Sequence, residues 1–367
     1  MFAKTGRLKI IFCDDAGHNV RQNDSLGTNV RFGCVHKLND DGVKETLPLN
    51  TFGIDRYEPM TATTQTNETG QRLGYACICT KLRQSKPPIF TSRGCIRKTL
   101  DAKGPEYIGS LALQNATDLL KVLEWNEAHG IRFFRISSDI LPWKTKVDIS
   151  QIPQWPSISE ALFQAGEYAR NHGHRLTFHP DHFVKLASLD DAYAAESCRE
   201  LEMHSMILDI MGYVEASPEN KLNIHMGGTY GNKRESMDRW ASRYMMLTPR
   251  CRARVTIEND DRPNSYSVRD LVYLHAICGV PITFDLHHHT FCDGGLSAQR
   301  AMDIAIGTWP PGIRPVVHWS ESQEGRRPHA HSDYVSGPIN VFGRDVDVMI
   351  EAKMKEHSLL LYTLSLS

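Results

Sequence analysis

The sequence predicts a (β/α)8 TIM barrel with an N-terminal extension, on three observations. Eight short, apolar, β-rich runs recur along residues 72–356, and helix-like stretches lie between them. Strands that alternate with helices favour parallel pairing, because a parallel connection needs a crossover element. Eight such units suit a closed barrel better than an open doubly wound sheet, and no G-x-G-x-x-G or Walker-type loop follows any of them.

The predicted strands and helices follow one another in a regular order. The strands begin near residues 72, 132, 175, 222, 255, 282, 315 and 345. Between them, Ser157 and Ser267 each open a capping-box pattern, which predicts the start of a helix. Gly173 and Gly279 stand where the left-handed residue after a helix belongs.

The ends of the chain differ from the repeating part. Residues 1–71 are rich in Asn, Asp, Thr and Gly, carry only short strand-like runs, and finish in the linker-like "TATTQTNETGQ". We therefore expect an N-terminal extension of unknown role over 1–71, the barrel over 72–356 and a C-terminal tail over 357–367.

Composition limits the classes of function. The 42 Lys and Arg residues balance 43 Asp and Glu residues, so a nucleic-acid partner would need local basic clusters rather than a global positive field. The nine cysteines form no zinc-ribbon pattern, which indicates thiols in a reducing compartment. The sequence shows no signal-peptide core and no membrane-length apolar run, so we expect an intracellular, soluble protein with no membrane partner.

Side chains with catalytic potential recur at the ends of the predicted strands. Six consecutive strands finish in a His, Asp or Glu, and another histidine follows strand seven; they are His179, His225, Glu258, Asp285, His318, Glu351 and then His331. The C-terminal ends of barrel strands meet at one mouth, where the active sites of such enzymes lie. A single histidine at a strand end is more often structural, but six equivalent positions in succession predict a shared site.

The chemistry of this set indicates divalent metal ions. Imidazoles and carboxylates without cysteine suit Zn²⁺, Mn²⁺ or Fe, and the number of ligands exceeds what one ion needs. Two or three ions bridged by a carboxylate such as Glu258 fit phosphate-ester hydrolysis. In "FDLHHHT", Asp285 ends the strand and is expected to ligate, but geometry alone does not choose among His287, His288 and His289.

The motifs resemble those of the UV-damage endonuclease family, metal-dependent barrel nucleases related in fold to endonuclease IV. The matching stretches occur in family order and cover about 72–356: "LGYACI", "FRISS", "LTFHPDHF", "IHMGGTYGNK", "IENDD", "FDLHHH", "HWSES", "HAHSDYV" and "MIEAKMKE". The resemblance implies a trinuclear metal site, often occupied by Mn²⁺. We expect two or three ions here, with Zn²⁺ or Mg²⁺ as alternatives to Mn²⁺. The resemblance also implies the ligands His179, His225, Glu258, Asp285, His288, His318, His331 and Glu351, so His288 is chosen from the histidine run and His287 is left to packing.

The resemblance further implies a reaction on damaged double-stranded DNA. The expected cut lies immediately 5′ of a cyclobutane dimer, a 6-4 photoproduct or an abasic site, and it leaves a 3′-hydroxyl and a 5′-phosphate. The damaged nucleotides are expected to be turned out of the helix, at an unstacking cost lower than that of normal duplex. We expect a monomer, nuclear in a eukaryote and cytoplasmic otherwise.

Roles for further residues come from the same resemblance and, for Lys233 and Arg135, from the placement of basic side chains near the mouth. Tyr75 and the pair His182–Phe183 are expected to probe the damaged site, with His182 where the family carries a glutamine. Lys233 of "GGTYGNK" is expected to contact DNA, and Arg135 either contacts DNA or forms a structural salt bridge. Glu258, His225 and Lys233 are the candidates for the catalytic groups.

Two departures from the family pattern, besides His182, allow other functions. Val316 stands where the family has a metal-bridging carboxylated lysine, and Cys79 stands where an asparagine is expected. Both changes alter the metal site that the resemblance implies, so a catalytically weak damage-binding protein is one alternative. A metal-dependent barrel sugar isomerase or epimerase is another, although it does not account for the "HPDHF" loop.

Overall fold

A computed structural model of the chain describes residues 71–323 and 325–366, together with the backbone of three short strands nearer the N-terminus. Those strands are β1 (Leu8–Lys9), β2 (Cys34–Leu38) and β3 (Lys44–Pro48), which pair antiparallel in the order β1-β2-β3. The chain divides into two compact units, 1–65 and 66–367. The rest of the predicted extension lies outside the described residues.

The second unit is a closed barrel of eight parallel strands, as predicted. The strands are β4 (Leu73–Ala76), β5 (Phe133–Ile136), β6 (Arg175–Phe178), β7 (Leu222–His225), β8 (Val255–Glu258), β9 (Ile282–Asp285), β10 (Val316–Trp319) and β11 (Asp347–Ile350). Neighbouring strands pair in chain order, and β11 pairs with β4 to close the ring. The C-terminal ends of all eight strands therefore surround one mouth.

The helices cover the outside of this barrel. They are α1 (Thr80–Arg83), α2 (Arg97–Ala128), α3 (Trp155–Asn171), α4 (Asp191–Ile210), α5 (Lys233–Tyr244), α6 (Pro249–Arg254), α7 (Val268–Cys278), α8 (Leu286–His289), α9 (Ala298–Gly307) and α10 (Lys355–Leu366). Among the described residues, no helix combines the length and the apolar character that crossing a bilayer requires.

The two predicted capping boxes have different outcomes. Ser267 caps α7 with a complete capping box, and Gly279 ends that helix with φ of 74°. Helix α3 instead begins at Trp155, so Ser157 lies inside its first turn and does not cap it. Pro156, near the start of α3, holds its own φ at a helical value and has no N–H that needs a partner, so the helix starts before the serine.

The C-terminal boundary is corrected by the structure. Residues 357–366, expected to form a tail, belong to α10, whose Leu359 and Tyr362 are buried in the main core. Glu356, also buried, accepts a hydrogen bond of 2.7 Å from the backbone N–H of Lys81. Apolar residues at a spacing of three place one face of this helix against the barrel.

The barrel interior has an apolar side and a polar side. One separate apolar cluster contains a side chain from each of strands β4, β5, β10 and β11 and one from the loop after α9. Its members are Ala76, Phe133, Val316, Met349 and Trp309. Strands β7–β9 and the residue before β7 instead contribute buried polar side chains, namely Lys221, Asn223, Thr256 and Thr283. Alternate residues of a barrel strand face inward, so both sets lie beneath the strand ends that form the mouth.

Candidate metal centre at the barrel mouth

Glu258, the last residue of β8, is the centre of the site. Its Oε2 lies 3.2 Å from Nε2 of His179 and 3.8 Å from Nε2 of His225. Its Oε1 lies 3.2 Å from Nδ1 of His318 and 3.3 Å from Nδ1 of His288. Four imidazoles from four different parts of the chain therefore surround one carboxylate that is 1% exposed.

The remaining predicted ligands lie on the β10–β11 side of this carboxylate. Nδ1 of His318 is 3.1 Å from Oε1 of Glu351 and 4.0 Å from Oδ2 of Asp285. Nδ1 of His331, in the loop after β10, is 3.8 Å from Oε2 of Glu351. The eight side chains chosen from the sequence are thus brought together.

Two overlapping groups have their candidate ligand atoms within 4.8 Å of one another: His179 with His225 and Glu258, and Glu258 with Asp285 and His318. In the second group, Oε1 of Glu258, Oδ2 of Asp285 and Nδ1 of His318 are buried without any hydrogen-bond partner. Buried polar atoms are normally satisfied, and two carboxylate oxygens cannot satisfy each other. A divalent cation would satisfy all three atoms, so the residues present fit such an ion.

The orientation of three other imidazoles also fits metal binding. Each places Nδ1 against an oxygen acceptor: His225 at 3.0 Å from Oδ1 of Asp260, His288 at 2.9 Å from the carbonyl of Asn259, and His331 at 2.8 Å from the carbonyl of Glu351. These acceptors hold the proton on Nδ1 and leave Nε2 unprotonated, and in His225 that Nε2 faces Glu258. Asp260 has no role in the sequence prediction, although its place in "IENDD", two residues after Glu258, was a signal for it.

The three adjacent histidines have three different environments. His288 lies against the central carboxylate, whereas His287 packs edge-on against His331 with ring centroids 5.3 Å apart. Nε2 of His289 lies 3.1 Å from the carbonyl of Leu296, and its side chain is buried. One histidine of the run therefore faces the centre and the other two support it.

The ionisable groups of the site shift one another's pKa values. Burial opposes ionisation of Glu258, but the imidazoles of His318 and His225 outweigh it and hold its pKa well below the usual range. Burial raises the pKa of Asp285. Burial disfavours the charged form of His288, yet Asp285 and Glu258 outweigh that effect and raise the pKa of His288 to about 10. The negative field at the mouth is therefore strong enough to hold a positive charge among the carboxylates.

Arg135 and Lys233 both have protein partners. Arg135 donates to Oε1 of Glu351 from inside the barrel. Of the two expected possibilities, a DNA contact or a structural salt bridge, this contact is the salt bridge. Lys233 begins α5, and its Nζ lies 2.9 Å from Oδ2 of Asp270 with about a third of the side chain exposed. A DNA contact by Lys233 stays a prediction.

The predicted probing residues differ in their exposure to solvent. Tyr75 is 0% exposed, and its hydroxyl donates to Oδ1 of Asn126 at 2.7 Å, so its burial contradicts the expected contact with DNA. The physical reason is strand alternation: Ala76 belongs to the interior cluster, so Tyr75 faces the helix layer. His182 and Phe183 fit the role better, because their side chains are 74% and 61% exposed and their ring centroids lie 4.1 Å apart.

One residue beneath the centre was not predicted. Lys221, immediately before β7, is 1% exposed, and its Nζ lies 3.0 Å from Nε2 of His318. Burial holds the pKa of Lys221 well below its ordinary value. A lysine at the start of a strand is ordinarily solvated, so the sequence carried no signal for it.

Among the described residues, several residues other than glycine adopt left-handed backbone conformations in the segments that follow strands. Cys77, Trp143, Tyr230 and Lys355, after β4, β5, β7 and β11, have φ of 69°, 58°, 48° and 50°. Such strain clusters at functional sites. Because β4 ends at Ala76, Cys77 and Cys79 lie beyond the strand.

Comparison with known proteins agrees with this geometry. The family model for UV-endonuclease UvdE matches residues 71–367. The chain belongs to the UvdE family. The UV-damage endonuclease of Schizosaccharomyces pombe is 36% identical over 299 residues, which cover 78% of this chain and 49% of the relative. The UV DNA damage endonuclease of Bacillus pumilus is 28% identical over 302 residues, which cover 79% and 92%.

Solved structures give the same result for the fold. The crystal structure of SacUVDE matches with a TM-score of 0.70 and 29% identity over 79% of this chain and 96% of its own. Endonuclease IV from Thermus thermophilus matches with a TM-score of 0.51 and 16% identity over 80% of this chain and 98% of its own, which shows a shared fold. As a UvdE-family member, the protein is a DNA repair endonuclease whose mouth carries a cluster able to bind metal.

Proposed function

We propose that this UvdE-family enzyme incises duplex DNA immediately 5′ of cyclobutane dimers, 6-4 photoproducts and abasic sites, and that it leaves a 3′-hydroxyl and a 5′-phosphate. The observation that carries the proposal is the convergence of four imidazoles on Glu258, with unpartnered ligand atoms beside it. Two or three divalent ions, Mn²⁺ in the first place and Zn²⁺ or Mg²⁺ as alternatives, would lower the pKa of a bound water and neutralise the phosphate.

The side chains have distinct roles in this proposal. Glu258 belongs to both ligand groups, so it would join the two parts of the centre. His225 is held by Asp260 with Nε2 directed at the centre. Arg135 neutralises Glu351, which otherwise would add a third buried negative charge beside Glu258 and Asp285. Lys233 would contact a phosphate if it leaves Asp270 when DNA binds.

Contacts with DNA would come from the loops around the mouth. The exposed rings of His182 and Phe183 follow His179 closely in the chain, so they would fill the space left when damaged nucleotides turn out. Exposed basic residues occur in the segments that follow β4 and β10, at Lys81, Arg83, Lys86, Arg326 and Arg327. We propose that a monomer binds one damaged site. The enzyme would act where DNA is, in the nucleus of a eukaryote or the cytoplasm of a bacterium.

A second candidate function is supported by one residue. Val316 is 1% exposed within the apolar interior cluster, so position 316 offers no group that could bridge ions. A protein that binds lesions but incises slowly would agree with this difference. Family membership favours either candidate over a barrel sugar isomerase.

The test uses a duplex that carries one thymine dimer at a defined position. Metal-free enzyme should leave it intact, and Mn²⁺ should restore a single nick 5′ of the dimer. Glu258→Gln should abolish the nick because both ligand groups lose their shared carboxylate. Glu127→Gln is the matched control, since Glu127 pairs with Arg132 and His174 at the opposite end of the barrel.

Two results would count against the proposal. The absence of any Mn²⁺-dependent nick in wild-type enzyme, with folded protein and intact lesion DNA, would contradict incision. Tight and selective binding of the dimer duplex without a nick, under Mn²⁺, Zn²⁺ and Mg²⁺ in turn, would establish the damage-binding candidate in its place.

A further inference from the structure

A continuous hydrogen-bonded chain runs through the barrel interior beneath the metal centre. Nζ of Lys221 lies 3.4 Å from Oγ1 of Thr283, Oγ1 of Thr283 lies 3.1 Å from Oγ1 of Thr256, and Oγ1 of Thr256 lies 2.8 Å from Oδ1 of Asn223. Nδ2 of Asn223 then donates to Oε2 of Glu258. We call these five residues the polar chain. All of them are 0–1% exposed.

The polar chain has a single donor direction. The carboxylate of Glu258 only accepts, so Asn223 must present its amide nitrogen to Glu258 and its oxygen to Thr256. Thr256 therefore donates to Asn223, which leaves its oxygen to accept from Thr283. Thr283 in turn accepts from Lys221. Hydrogen bonds aligned in this way strengthen one another in a low-dielectric interior.

Lys221 also reaches a second ligand. Its Nζ lies 3.0 Å from Nε2 of His318, so one of the two nitrogens donates to the other. This contact occupies Nε2 and leaves Nδ1 as the nitrogen that faces Glu258 and Glu351. Lys221 thus touches the imidazole directly and reaches Glu258 through the three intervening side chains.

We propose that Lys221, Thr283, Thr256 and Asn223 are positioning residues that hold His318 and Glu258 in the orientation required to bind divalent ions. This rests on the proposed function only in that His318 and Glu258 are metal ligands. On the opposite side of the interior, Val316 and Met349 are apolar and offer no donor, and Arg135 donates to Glu351 rather than to His318 or Glu258. Removal of partners that orient metal ligands commonly weakens metal binding about 10–100-fold.

Metal titration of the metal-free full chain tests the proposal without any assay of incision. Lys221→Met keeps the length of the side chain but removes its hydrogen bonds, and it should weaken Mn²⁺ binding about 10–100-fold in calorimetric titrations. Thr283→Val keeps the shape of threonine but interrupts the chain at its second residue, and it should weaken binding in the same direction. Thr283→Ser retains the hydroxyl and should bind Mn²⁺ as wild type does.

Matched controls separate positioning from a general loss of stability. Thr177→Val removes the hydroxyl of another buried barrel threonine, on β6 and outside the polar chain, and should leave Mn²⁺ binding unchanged. Urea unfolding of each metal-free variant measures its folding separately. A loss of Mn²⁺ affinity in Thr283→Val that Thr283→Ser does not share supports a role of the hydroxyl itself.

The outcomes distinguish this proposal from the proposed function. If Lys221→Met and Thr283→Val both bind Mn²⁺ with wild-type stoichiometry and affinity, the positioning role is wrong, whatever the enzyme cuts. If Thr177→Val weakens binding as much as Thr283→Val, the effect belongs to barrel packing and the positioning role is again wrong. If the variants lose affinity as expected but wild type nicks no lesion, the positioning role holds and the proposed function fails.

Discussion

Phe183 is a large apolar side chain that remains 61% exposed four residues after a predicted metal ligand. The ring of His182 lies against it, and Nδ1 of His182 is 2.6 Å from Oδ1 of Asp181. An exposed ring in the loop after His179 is free to contact a partner. Stacking on a base supplies such a partner, and each stacked base contributes about 1–3 kcal/mol.

We therefore predict that Phe183→Ala lowers kcat/KM on dimer-containing duplex about 5- to 150-fold, the equivalent of about 1–3 kcal/mol. Mn²⁺ affinity should not change, because the ring makes no contact with the eight ligands. Phe163→Ala is the control, since Phe163 is also exposed, at 42%, but lies on α3. Equal losses in both variants, measured with the same duplex, would show that the ring of Phe183 has no particular role.

Individual residues show how far sequence reasoning reaches. The convergence of the eight candidate ligands could be predicted, because each lies at or beyond a strand end and strand ends meet at the mouth. The burial of Tyr75 could not be predicted, because a shift of one position along β4 turns a side chain from the barrel interior to the helix layer. The position of Lys221 beneath the site could not be predicted either. Its partners Thr283 and His318 belong to other strands, and only closure of the barrel brings them near.

At the scale of single elements, helices α3 and α7 share one sequence signal but not one structure. Both carry a serine followed three residues later by an acidic residue. In α7 the hydroxyl of Ser267 accepts from the N–H of Asp270, and the N–H of Ser267 donates to the carboxylate of Asp270 at 2.9 Å. In α3 the chain is already helical before Ser157. A local pattern thus predicts a helix here but not the residue at which it begins.

This difference gives a paired prediction. Ser267→Ala should lower the free energy of unfolding by about 1 kcal/mol, since it leaves N–H groups of the first turn without an acceptor. Ser157→Ala should change it by less than about 0.5 kcal/mol, because alanine suits a helical position and no cap is lost. Urea unfolding of the two metal-free variants measures both values. Similar losses would mean that Ser157 stabilises α3 in a way the contacts do not show.

At the scale of the whole molecule, the barrel is held together at the end opposite the metal centre by a buried ion pair. Nη1 of Arg175, on β6, lies 2.8 Å from Oδ2 of Asp347, on β11, and both side chains are 0% exposed. These strands are not neighbours in the ring, so the pair crosses the interior. The guanidinium also donates to the carbonyls of Pro218, Glu219 and Arg314. The count of strands was predictable from the sequence, but this cross-barrel contact was not.

We predict that Arg175→Met lowers the free energy of unfolding of the metal-free protein by about 3–5 kcal/mol, the usual effect of removing one partner of a buried pair. Asp347 would keep its ion pair with Arg72, whose Nε lies 2.9 Å from Oδ2 of Asp347. Three backbone carbonyls would lose the guanidinium as their donor. Arg132→Met removes an arginine that is 54% exposed in its pair with Glu127, and it should change the same quantity by no more than about 1 kcal/mol. Urea unfolding compares the two. If Arg175→Met is as stable as Arg132→Met, the crossing pair does not hold β6 to β11.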